Sequence, residues 1–147
     1  MDLPDIFYRG ITVNPWESEH GMILIAVFNP GEVNTKGWKE ISVNWELDMD
    51  VVKFTLQRKK DSGEYRYNPG ILKLSMNKVS EWLDYSGTLK YVDFELKADQ
   101  DDPENFYHGN VLLQGDLAKG DERLIKGALA SCVHKENGRI FREDETY

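Results

Sequence analysis

At 147 residues, with 40% hydrophobic and 12% aromatic side chains, the chain has the length of one domain and enough apolar surface to bury a core without metal or disulfide support. Acidic residues outnumber basic ones 26 to 18, a formal net charge of −8. Binding to nucleic acid or to an anionic membrane replaces counterions with Lys and Arg, so neither is expected as a partner. The single cysteine, Cys132, excludes an internal disulfide and a multi-cysteine zinc site.

The first residues lack the basic and apolar regions of a secretion signal, and the longest apolar run, 22–28, is too short to span a bilayer; a cytoplasmic protein is expected. Residues 6–13 are rich in β-branched and aromatic side chains and predict a first strand, with Gly10 as a bulge. Asn14-Pro15-Trp16 makes a turn, and the continuous apolar run 22–28 predicts a second, buried strand forming a hairpin with the first. Residues 39–45 alternate strictly, with Ile41, Val43 and Trp45 on one face and Glu40, Ser42 and Asn44 on the other, which is the pattern of a half-buried strand. Segment 48–56 fits neither the helical nor the extended period. Arg58 to Gly63 reads as an exposed turn, with Asp61-Ser62-Gly63 as the reversal.

A strand over 71–76 follows the Asn68-Pro69-Gly70 turn, and Ser75 or Asn77 caps a short helix that packs Val79, Trp82 and Leu83 inward until Gly87 ends it. Residues 88–97 alternate as a strand with Val92, Phe94 and Leu96 on the core face. Residues 98–105 form an acidic loop, and from Asp93 to Asn105 six acids face one base. Phe106 to Gln114 predicts another buried strand. In 121–134, Leu124, Ile125, Ala128, Leu129, Cys132 and Val133 recur at helical spacing, with Asp121 and Glu122 at the positive end of the dipole. The expected architecture is one α+β domain over residues 1–138: a mostly antiparallel sheet of five to seven strands carrying the C-terminal helix, followed by a charged, loosely held tail at 139–147.

None of the common nucleotide, zinc or hydrolase motifs is present, and no cofactor or metal is expected. Acidity and the lack of catalytic motifs lead to the expectation of a small protein-binding module, of the immunity, antitoxin or defence-accessory kind. It would occlude a basic partner surface with Asp99, Asp101, Asp102 and Glu104, aided by the loop tryptophans Trp16 and Trp38. The alternative is a small enzyme or ligand-binding domain with a pocket around His108, where Asp93 or Glu95 orients the imidazole and Tyr107 packs beside it. A structural subunit of a larger assembly is the third reading.

Overall fold

A computed structural model describes residues 3–12, 25–67, 69–97, 105–135 and 139–140. Strands β1 (Ile6–Ile11), β2 (Trp38–Trp45), β3 (Gly70–Ser75), β4 (Val92–Leu96), β5 (His108–Gln114) and β6 (Arg139–Ile140) form one sheet in the order β4-β5-β2-β1-β3-β6. Every pairing in it is antiparallel, so the fold is α+β as the sequence predicts. Helices α2 (Met76–Tyr85) and α3 (Lys119–Lys135) cover one face, and the short α1 (Val51–Gln57) covers part of the other.

Alternation along the strands sorts the side chains between these faces. Phe7, Ile41, Trp45, Leu72, Leu74, Val111 and Leu113 lie beneath the helices, where Val79 and Leu83 of α2 and Ile125, Leu129 and Val133 of α3 meet them. Tyr8, Ile71, Val51 and Tyr107 form a smaller cluster on the opposite face. Helix α2 begins where Ser75 Oγ accepts the Lys78 N–H at 3.2 Å, and Asp5 accepts the Asn77 N–H at 2.9 Å. These bonds satisfy donors that the first turn leaves open. Its stop is Gly87, at φ +75°.

Several elements differ from the sequence expectation. Residues Ile25–Phe28 form a 3-10 turn packed against α3, with Val27 and Phe28 buried, instead of the end of a strand; Met22 to Leu24 lie outside the described residues. The partners of β1 are therefore β2 and β3, and the expected hairpin does not form. A short apolar run has the same pattern in a buried strand and in a buried turn, and only packing distinguishes them. Gly10 is no bulge, since β1 and β3 pair without interruption from Ile6↔Ser75 to Ile11↔Gly70. Its missing side chain makes room for the ring of Tyr67, which a Cβ would strike. Segment 48–56 resolves into α1, β4 starts only at Val92 after a 3-10 turn at Leu89–Tyr91, and β5 starts at His108, leaving Phe106 half exposed in a turn. Leu124 points outward, 49% exposed, whereas Ile125, Ala128, Leu129, Cys132 and Val133 are buried. Arg139 and Ile140 pair with Leu72 and Ile71 and so extend the sheet beyond β3.

Gly109 is the tightest point of the sheet: a Cβ there would overlap the Glu95 carbonyl and the Trp45 indole. Neither neighbour can yield freely, because Trp45 Nε1 donates to that carbonyl at 2.9 Å. Gly109→Ala is expected to lower the unfolding free energy by about 1–3 kcal/mol or more in urea titration, with an unchanged m-value.

Candidate functional site: a cavity beside His108

Strands β1 and β2 pair only at Phe7↔Trp45 and Tyr8↔Asn44. Past these residues the gap is bridged by Arg9, whose Nη1 donates to the Ser42 carbonyl at 2.8 Å and Nε to the Val27 carbonyl at 3.1 Å. Burial lowers the Arg9 pKa below its ordinary value, and no ion pair to it occurs among the described residues.

On the face away from α2 and α3, a chain of buried hydrogen bonds ties three segments together. Asn105 Nδ2 donates to Asn44 Oδ1 at 2.9 Å, Asn44 Nδ2 donates to Thr55 Oγ1 at 2.8 Å, and Thr55 Oγ1 donates to the Val51 carbonyl at 2.7 Å. Asn105 Oδ1 also accepts the Tyr107 N–H at 3.1 Å. A seven-residue helix is marginal alone, so α1 depends on this link and on the burial of Val51 and Thr55.

Beyond α1 the chain doubles back as a small hairpin. Lys59 bridges Tyr65, Lys60 N–H donates to the Glu64 carbonyl at 2.8 Å, and Gly63 supplies the reversal at φ +87°. At its base the Arg66 N–H donates to the Arg58 carbonyl at 2.9 Å, so two arginines stand directly opposite each other. Both line a cavity of about 150 Å³ above Gly10, Ser42 and Asn44, with His108 on the β5 side. Arg58 Nη1 is wholly buried, and the guanidinium lies 5.3 Å from the Phe54 ring centroid.

Among the described residues, no carboxylate lines this cavity. The nearby acids are engaged by tyrosines: Tyr8 OH donates to Glu46 Oε1 and Tyr107 OH to Asp48 Oδ1, each at 2.7 Å. Burial, then the hydrogen bond to Glu46 and its charge, raise the Tyr8 pKa well above the usual phenol value. Burial, the bond to Asp48 and the charges of Asp48 and Asp50 push Tyr107 up to about 12.

Of the residues expected around His108, the histidine itself lines the cavity. Tyr107 is buried and directed to Asp48. Asp93 accepts the Phe94 N–H, and Glu95 accepts from Asn110 Nδ2 at 2.8 Å. Of the expected protein-binding residues, Trp16, Asp99, Asp101, Asp102 and Glu104 lie outside the described residues, while Trp38 is half-buried at the start of β2 opposite Gln114. Sequence reasoning missed Arg58, Arg66, Asn44, Thr55 and Asn105. One signal was available: Arg58 and Arg66 stand four residues either side of Ser62, the centre of the reversal, so a hairpin there must pair them.

Among the described residues, no group of three or more His, Cys, Asp or Glu side chains is placed to hold a metal, and no helix is long and apolar enough to cross a membrane. The class defined by fold and site is an antiparallel α+β domain with a cavity lined by Arg58, Arg66 and His108 on the sheet face away from α2 and α3. The chain matches no protein-family model, no curated protein and no solved structure.

Asn44→Ala leaves the Asn105 amide without its acceptor and frees α1 from the sheet; a loss of about 1–3 kcal/mol in equilibrium unfolding is expected. Alkaline titration gives a second expectation. The unfolded phenol loses its proton near its ordinary value of 10, whereas folded Tyr107 keeps it to about 12. This contribution to stability is therefore complete below about pH 10 and disappears as pH rises towards 12. Tyr107→Phe should flatten that part of the stability profile measured by denaturant titration.

Proposed function

We propose that this protein is a small ligand-binding domain that takes up an anionic group between Arg58 and Arg66. The observation that supports the reading is the direct cross-strand pairing of Arg58 and Arg66 beside a polar cavity, in a chain whose net charge is −8. Like charges directly opposite in a β-pair destabilise it, and an anion between them turns that repulsion into two attractive contacts. Guanidinium forks match phosphate and carboxylate oxygens two at a time. The amides of Asn44 and Asn105 are already bonded, so the wall is preorganised and little ordering is left for the ligand to impose.

Size narrows the ligand. At about 30 Å³ per water, 150 Å³ corresponds to about five waters. That suits a phosphate or carboxylate head group and is smaller than the ~300 Å³ at which drug-sized sites begin. The acidic surface does not prevent this, because charges beyond about 8 Å are screened at physiological salt. Cytoplasmic residence belongs to the same proposal and is supported by the chain's use of a single, buried cysteine, Cys132, which forms no internal disulfide.

Thermal unfolding in inorganic phosphate tests the reading. At 100 times its dissociation constant, phosphate adds about 2.7 kcal/mol, a rise of roughly 5–10 °C in melting temperature for a chain of this length. Arg58→Gln is expected to weaken phosphate binding about tenfold or more, and Arg66→Gln, at the exposed side of the cavity, somewhat less. No shift with phosphate, sulfate or small carboxylates would end the proposal and return the function to occlusion of a basic protein.

A further inference from the structure

Away from the cavity, the described residues gather exposed apolar side chains at one place. Met49 is 94% exposed, Leu47 of the same turn between β2 and α1 is 40% exposed, and Phe106 is half exposed beside them. Tyr107 joins the two segments: its ring lies 4.5 Å from that of Phe106, and its hydroxyl donates to Asp48 Oδ1 at 2.7 Å. Single apolar side chains on a surface are ordinary, but a group of them rimmed by polar residues marks a docking face. The backbone beneath is held in place. Glu46 N–H donates to the Ile6 carbonyl and Asp50 N–H to Asp48 Oδ1, each at 2.9 Å, and Phe54 N–H donates to the Asp50 carbonyl at 2.8 Å. Little ordering is left for a partner to impose.

Charge restricts the occupant. The apolar positions alternate with acids in Glu46-Leu47-Asp48-Met49-Asp50. Tyr8 and Tyr107 hold Glu46 and Asp48 through neutral hydroxyls, which leave the charge of both uncompensated. Among the described residues, no Lys or Arg pairs with any of the three acids. A second copy of the chain is disfavoured, because a two-fold interface sets a patch against its own image and brings acids against acids. An anionic membrane or a nucleic acid is repelled in the same way. A protein segment with Lys and Arg around an apolar side chain meets both requirements. Its apolar residue covers Met49, Leu47 and Phe106, and its basic groups reach the carboxylates at the rim.

We infer that the turn 46–50, together with Phe106, docks a basic protein segment whose Lys and Arg side chains flank an apolar residue. None of these residues lines the cavity, so the surface is independent of the anion site.

Selection of random displayed peptides on the full chain, followed by fluorescence-anisotropy titration of those enriched, tests the inference. The enriched sequences are expected to carry Lys or Arg on both sides of an apolar residue. Their affinity should fall about tenfold in Met49→Ser, an exposed position whose change leaves the core intact. It should also fall as salt is raised, and Asp50→Asn should reduce that salt dependence. Tyr85→Ser, at a comparably exposed position on α2, should leave binding unchanged. Enrichment of acidic or uncharged sequences, recovery of no peptide, or equal binding to Met49→Ser and the unaltered chain overturns the inference.

Discussion

The buried indole of Trp45 fixes the register on which the rest of the structure depends. It is fully enclosed, lies 5.0 Å from the Phe7 ring and 6.2 Å from Phe94, and donates Nε1–H to the Glu95 carbonyl. It occupies the space that Gly109 leaves empty. One side chain thus aligns β1, β2, β4 and β5, and a slip by one residue would turn every side chain of a strand to the other face. With Trp45 facing the helices, Asn44 and Ser42 must face the other way, and the pairing Asn44↔His108 brings the histidine to the same place.

That second face is polar at its centre and closed by a helix too short to stand alone. The Asn105–Asn44–Thr55 chain gives α1 its footing, and the hairpin following α1 brings Arg58 and Arg66 together over the sheet. The electrostatic division follows from these links. Tyr8 and Tyr107 hold Glu46 and Asp48 at their hydroxyls, while Arg58 and Arg66 line the cavity beside His108. A chain that is acidic overall thereby places two arginines beside walls whose amides are already satisfied.

Legibility in the sequence followed the strength of periodic patterns. Residues 39–45 alternate through a full strand, Ser75 with Val79 and Leu83 carries both a cap and a helical stripe, and 121–134 repeats its apolar positions over several turns; all three appear in the structure as expected. The run 22–28 and the segment 48–56 were not legible, because β-branched residues in short stretches suit a strand, a 3-10 turn or a helix equally well until packing selects one. The face of Asn44 was legible but its burial was not, for a related reason. Alternation assigned it to the polar face, but only the arrival of α1 and the 105–107 turn makes that position buried and gives its amide partners.

The sequence alone determined the α+β class, the antiparallel sheet, the C-terminal helix and the overall acidity, since these depend on local periodicity and composition. Tertiary structure alone decided the strand order, the role of α1 and the site. His108 was visible as a titratable group at a strand entrance, but its cavity companions come from β2, α1 and the 58–66 hairpin. Their convergence depends on long-range register and on a hydrogen-bond chain between residues up to 61 positions apart, from Asn44 to Asn105. No local pattern records contacts of that separation, which is why the arginine pair read as an exposed turn until the sheet beneath it was in place.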